Sequence, residues 1–283
     1  MFRLSPRLSE HASEVRRLDH DRFLCALFAS EAEREDLFAL YAFNQEVARI
    51  RETVSEPLIG QMRLQWWRDV MDAIYTGDVP RHPIALSLAE AVRRHDLTRT
   101  LFDRLIDARA DDLDDNPPPD TAALVTYAEG TSATLTALSL EVLGQRNDVA
   151  EKVGHNVGVA WALIGLLRSV PFHAGRGRIY LPARLMRERG LDASDLFRRR
   201  SGPTLTAVVS EVAQEALRFL AEARHLAPVV PRRALPALLP ATLADGYLKR
   251  LGRAGYNPFD EGAQVVPVGR LVQLAFNAYR GRY

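Results

Sequence analysis

The stretch REDLFALYAFNQEVARI, Arg34 to Ile50, sets the fold class. Leu37, Leu40, Tyr41, Phe43, Val47 and Ile50 recur at three- and four-residue steps, which makes one broad apolar stripe on a helix. The same period runs through 58–75, 97–113, 121–144, 150–170, 205–226 and 268–283. No stretch reads as a run of strands. The breaks TGDVPRHP, DDNPPPD, LGQRND, PFHAGRGRIYLP, RSGPT and APVVPRRALP carry the Gly, Pro and Asp/Asn that stop helices and open turns. The pattern predicts an all-α fold of roughly eight to ten helices. The breaks are as short as ordinary helix connections, so a single domain over 1–283 is expected.

The chain has 283 residues, of which 47% are hydrophobic, enough for one large core. Its formal charge of +1 offers no global field for nucleic acid, so nucleic acid is not an expected partner. Cys25 is the single cysteine, which leaves no internal disulfide and no Cys-based metal site. The first twenty residues lack the apolar core of a secretory signal, and VGVAWALIGLL (157–167) is shorter than the roughly 20 apolar residues a bilayer crossing needs. An intracellular protein is the expectation.

Four local features bear on chemistry. DDLDD, Asp111 to Asp115, contains the spacing that lets two carboxylates share magnesium, but NPPP follows at once, so a solvated helix end is expected there. In QWWRD (65–69), Trp66 and Trp67 diverge by about 100° on a helix, so one of them packs in the core while Arg68 and Asp69 face out. His11, His20, His82, His95, His155, His173 and His225 form no HxxxH or HExxH pair, and a zinc site is not expected. In LLRSVPFHAGRGRIYLP (166–182), Arg176 and Arg178 alternate with Gly175 and Gly177. That composition suits either an anion held by guanidinium forks and main-chain N–H groups or a basic surface turn.

LFALYAFNQEVARI, LQWWRDVMDAIYTGDVPRHPIALSLAEAV, LVTYAEGTSATLTALSLEVLG and LLRSVPFHAGRGRIYLP, in this order and spacing, resemble the squalene/phytoene synthase family. The resemblance implies the terpenoid (isoprenoid) synthase fold, with helices around a central cavity. It also implies two aspartate-rich motifs holding Mg²⁺ against a prenyl diphosphate, where the metal stabilises the leaving group electrostatically. At the first motif this chain reads Ala48, Arg49 and Glu52; at the second it reads Ser169 and His173, with Pro171 between them. A methyl, a hydroxyl and an imidazole stand where Mg²⁺ prefers hard oxygens. No catalytic residue and no metal or cofactor is therefore expected, with Glu52 as a weak candidate ligand. Arg49, Arg168, Arg176 and Arg178 are the expected anion-binding residues.

RRHDLT, DDLDD and the aromatic, basic tail further resemble a non-synthase branch of that family, the mitochondrial complex I (NADH dehydrogenase) assembly factor. That branch implies a catalytically degenerate protein acting by binding in complex I biogenesis. The expected partners are complex I subunits or assembly proteins and a prenyl or quinone-like lipid in the cavity. The expected location is cytoplasmic or peripheral to the inner membrane, on the matrix side in a eukaryote. The alternative is an active prenyl transferase with altered ligation. In it, Arg49, Arg51, Arg168, Arg176 and Arg178 hold the diphosphate, while Glu52 or Asp111–Asp115 recruit Mg²⁺. A third reading places the amphipathic tail, with Leu271, Leu274, Phe276, Tyr279, Arg270, Arg280 and Arg282, on a membrane surface; a core-packing last helix is the preferred expectation.

Overall fold

Caps set the helix starts that the breaks imply. Ser30 accepts from the Glu33 amide and Glu33 reaches back to the Ser30 backbone, a capping box that opens helix 31–48. Asp120 and Asn147 accept from the third amide beyond them, and Pro57, Pro83, Pro203 and Pro240 sit in the first turns of their helices, where a missing N–H costs nothing.

A computed structural model describes residues 8–226, 229–266 and 268–283, and all regular structure among them is helical. The first half comprises α1 (Glu10–Leu18), α2 (His20–Ala26), α3 (Glu31–Ala48), α4 (Ile50–Thr53), α5 (Pro57–Thr76), α6 (Pro83–His95), α7 (Arg99–Ala108), α8 (Thr121–Ala128) and α9 (Thr134–Val142). The second half comprises α10 (Asp148–Arg168), α11 (Val170–Ala174), α12 (Ala183–Arg189), α13 (Ala193–Phe197), α14 (Pro203–His225), α15 (Leu235–Leu238), α16 (Pro240–Arg253), α17 (Glu261–Gln264) and α18 (Arg270–Tyr279). These are more segments than the stripes suggested, because several stripes break and resume within a residue or two. Two of those breaks, at Arg49 between α3 and α4 and at Ser169 between α10 and α11, fall on the two motif positions.

Helix α10 runs through the middle, against α14, α16 and the rod formed by α8, a π-helical turn (Glu129–Ala133) and α9. Buried apolar side chains form one continuous cluster from Ala12 to Tyr283. Of the tryptophan pair, Trp67 is buried edge-on against Phe43, and Trp66 is exposed beside His82. Arg68 faces out and pairs with Asp107.

At the π turn α10 comes so close that a Cβ on Gly158 would lie 2.4 Å from the Ala133 Cα. Backbone cannot swing aside as a side-chain tip can. Gly158→Ala is therefore expected to destabilise by about 1–3 kcal/mol in urea unfolding, despite alanine's better helix propensity. Gly165→Ala, seven residues along the same helix with nothing within 4 Å, is the control and should stabilise slightly.

Helix α18 corrects the expectation of a core-packing tail. Leu274 is its one buried residue, whereas Leu271, Val272, Phe276 and Tyr279 are exposed. The segment is fastened instead by polar contacts: Arg270 to Asp21, Asn277 to Thr242 and the Tyr283 hydroxyl to the Ala223 carbonyl.

Candidate functional site

The two broken helices meet on one cavity of about 430 Å³. Ala48, Arg51 and Glu52 line it from the α3–α4 break, and Phe172, His173, Arg176 and Arg178 line it from α11 and the turn after it. Arg109, Asp112, Tyr127 and Tyr180 complete the wall. An adjoining chamber of about 200 Å³ shares Arg109, Tyr127 and Leu166 and holds Ser169. Of the four mapped positions, Ala48, Glu52 and His173 line the cavity and Ser169 lines the adjoining chamber, and together these two spaces form the bay.

Asp112 is the hub of the wall. It is 5% exposed and accepts hydrogen bonds from the Tyr127 and Tyr180 hydroxyls, each at 2.8 Å, with the Arg109 guanidinium 3.3 Å away. Arg109 also donates to the Tyr127 hydroxyl at 2.7 Å. Burial, reinforced by Asp112, pushes both phenols above their usual pKa and keeps them as donors.

The DDLDD expectation therefore needs correcting at one residue. Asp111, Asp114 and Asp115 are exposed and line a neighbouring cleft that shares Tyr127, Arg178 and Tyr180 with the cavity, whereas Asp112 lines the cavity itself. The reason is local: α7 stops at Ala108 and a 3₁₀ turn, Arg109–Leu113, winds more tightly, turning Asp112 and Leu113 inward together. Asp112 therefore never sits on a fraying helix end.

The arginines sort differently from expectation. Arg176 lines the cavity with its guanidinium over the Phe172 ring. Arg178 also lines it, but spends its donors on the backbone carbonyls of Asp112 and Asp114 and lies 3.6 Å from Asp115. Arg49 turns away from the cavity and reaches Glu52 at 3.9 Å. Arg168 stacks on the Tyr247 ring, 3.5 Å from its centroid, and lies 3.7 Å from Asp21, outside this cavity. Asp21 in turn accepts from Tyr247 and Arg270, so the charge of Arg168 is answered within the protein. Neither Arg49 nor Arg168 lines this cavity, and Arg168 lines a neighbouring pocket with Ser169 and Phe172.

Arg51 and Arg109 supply what the expected set lacked. Both line the cavity, Arg51 paired with Asp115 at 2.9 Å and Arg109 with Asp112 at 3.3 Å, and the Nε of each is buried without a partner. In sequence Arg51 belongs only to the alternative arginine set, and Arg109 carries no expectation. The signal for Arg109 was its phase: it falls four after Leu105 and three after Ile106, on the buried stripe of α7. Tyr127 follows the same rule three after Leu124, as does Asn44 four after Leu40.

His173 is held neutral. Burial, then the nearby Arg178 and Arg176, push its pKa down to about 4, against the opposing pull of Asp112. At neutral pH the cavity thus presents four guanidinium groups, two carboxylates and an uncharged imidazole, and the adjoining chamber adds Arg22. Among the described residues no group of three or more His, Cys, Asp or Glu side chains is placed to hold a metal ion.

An all-α chain folded around a charged bay between two interrupted helices has the terpenoid synthase fold. A ligand-bound crystal structure of a dehydrosqualene synthase superimposes with a TM-score of 0.84 at 20% identity, covering 95% of this chain and 94% of that one. A squalene synthase from Alicyclobacillus acidocaldarius gives 0.77 at 20% identity over 88% of this chain and 95% of that one, so both share the fold.

The chain belongs to the squalene/phytoene synthase family, whose sequence model matches residues 15–271. Among its relatives, complex I assembly factor 6 of Bos taurus is 34% identical over 95% of this chain and 81% of its own length. The Homo sapiens counterpart is 33% identical over 88% and 75%. A presqualene diphosphate synthase of Rhodopseudomonas palustris is 30% identical over 72% of this chain and 73% of its own length.

Proposed function

We propose that this protein acts by binding, not by prenyl transfer, in the biogenesis of respiratory complex I, with complex I subunits or assembly proteins as its partners. The carrying observation is the charge of the bay. Mg²⁺ bound between two carboxylate-rich helices needs hard anionic oxygens with free lone pairs. Here Asp112 already answers two phenols and a guanidinium, and Glu52 lies beside Arg49. The residues present do not fit a magnesium cluster. The relatives from cattle and human support the link to complex I.

No helix among the described residues is long and apolar enough to cross a membrane. The proposed place of action is the cytoplasm, or the matrix in a eukaryote, at the inner-membrane surface. The exposed apolar side chains of α18 support contact there.

A second reading, prenyl transfer with altered ligation, draws on Asp112 facing the bay and on the presqualene diphosphate synthase relative. One incubation separates the two. With farnesyl or geranylgeranyl diphosphate and Mg²⁺, no pyrophosphate release and no prenyl product are expected. Product formation abolished by Glu52→Ala would establish the second reading instead. In cells, deletion is expected to lower NADH oxidation by complex I while leaving isoprenoid content unchanged.

A further inference from the structure

Two helices carry large apolar side chains outward. On α18, Val272, Phe276 and Tyr279 stand at steps of four and three, so at 100° per residue they share one side, with Leu271 and Ala275 beside them. Val272 is 73% exposed, Phe276 55% and Tyr279 82%, so this side stands clear of the fold as a ridge. It cannot roll inward: Arg270 and Asn277 tie the opposite side to Asp21 and Thr242, and Tyr283 holds the end on the Ala223 carbonyl. On α5, Leu58, Met62 and Trp66 are exposed at steps of four. Charge separates the two surfaces. Helix α5 starts at Glu56 and carries Asp69 and Asp72, all exposed. From Val265 to Tyr283 there is no acidic side chain, while Arg280 and Arg282 are exposed at the end of the ridge and exposed Arg232 lies beside Gly281.

We infer that α18 is an interfacial helix that lies flat on an anionic bilayer, with Val272, Phe276 and Tyr279 sunk to the boundary of headgroups and acyl chains and Arg280 and Arg282 on lipid phosphates. This rests on the membrane contact proposed above and deepens it, by naming the segment that meets lipid and the lipid charge it selects. At ten residues the helix is far too short to cross, which leaves only the flat orientation. A bilayer accepts a lone ridge, which has only to sink into it, whereas a partner helix needs a groove, and side chains this exposed have none beside them. The net charge of +1 gives the molecule no general pull toward anionic lipid, so the preference falls to the local arginines. Their stems follow the apolar side while the guanidinium groups stay with the phosphates; Arg280 already lies over the Phe276 ring, 5.3 Å from its centroid.

The test is sedimentation of the full chain with vesicles of phosphatidylcholine alone and with a quarter of it replaced by phosphatidylglycerol. The anionic vesicles are expected to bind about tenfold more tightly or better, and less so as salt is raised. Arg280→Gln/Arg282→Gln should lower binding to the anionic vesicles by about tenfold or more and leave the neutral ones unaffected. Val272→Glu/Phe276→Glu should abolish binding to both. Each altered side chain is exposed, so neither double variant should change the melting temperature. Insertion is read separately: Cys25, the single cysteine, is buried, so an environment-sensitive fluorophore can be placed on Val272→Cys or on Met62→Cys alone. Its emission should shift to the blue on anionic vesicles from position 272 and stay unchanged from position 62. Absence of sedimentation, undiminished binding by Val272→Glu/Phe276→Glu, or a blue shift from position 62 in place of 272 would each overturn the inference. So would dimerisation that the same double variant abolishes in a chain that ignores vesicles, since a second copy would then cover the ridge. None of these failures touches the proposed biogenesis role, which product analysis and complex I activity test separately.

Discussion

Asp112→Ala is expected to destabilise the protein by about 3–5 kcal/mol, the cost of leaving a buried cation without its partner. The substitution removes the acceptor of two phenolic hydroxyls and the carboxylate facing Arg109, whose side chain is 15% exposed. Both tyrosines remain protonated and cannot take over the negative charge. Urea denaturation followed by circular dichroism should show the loss as a lower midpoint with an unchanged slope. Asp112→Asn should cost less, since its amide oxygen still accepts from the phenols, although the charge opposite Arg109 is gone. Asp115→Ala is the control: an exposed carboxylate three residues on, pairing with Arg51 at 2.9 Å, is worth no more than about 1 kcal/mol. If the two alanine variants were equally stable, the wall of the bay would not depend on its buried charge.

This contrast also marks what the sequence could disclose. The apolar period of REDLFALYAFNQEVARI reads directly as α3, because burial of one helix face leaves its mark on every third or fourth residue. The breaks read equally well, since proline and capping residues act through local geometry. Motif order points to Ala48, Glu52, Ser169 and His173, of which three line the cavity and Ser169 the chamber beside it.

What stayed hidden was pairing across the chain. DDLDD is five letters in which four acids look alike, and the one turned inward is chosen by a single tighter turn after Ala108. Arg168 looked free in sequence because its partners, Asp21 and Tyr247, lie far away on α2 and α16. Arg109, Asn44 and Tyr127 were visible in principle as polar residues in phase with apolar ones. A stripe reading that counts only apolar letters passes over them, although a buried polar group in phase is the more informative observation.

Restoring carboxylates should turn the bay from an anion site into a cation site. In Ala48→Asp/Ser169→Asp/His173→Asp, with Glu52 intact, acids again stand four apart on both sides of the bay. Three added carboxylates cancel the excess of guanidinium groups, Arg22 of the chamber included, over Glu52 and Asp112. At an effective dielectric near 20, unit charges 4 Å apart interact by about 4 kcal/mol, so the change is not a marginal one. The unmodified protein is expected to bind pyrophosphate in EDTA and to show no saturable Mg²⁺ binding in calorimetry. The triple variant should bind Mg²⁺ at sub-millimolar concentration and lose at least 100-fold, roughly 2.7 kcal/mol, in metal-free pyrophosphate affinity. Added Mg²⁺ should return that affinity in the variant and leave the unmodified protein unaffected, because only the variant has oxygens to hold a bridging ion. Equal Mg²⁺ dependence in both proteins would show that the native bay recruits cation despite its arginines, and the charge argument for a binding role would then fail at its first step.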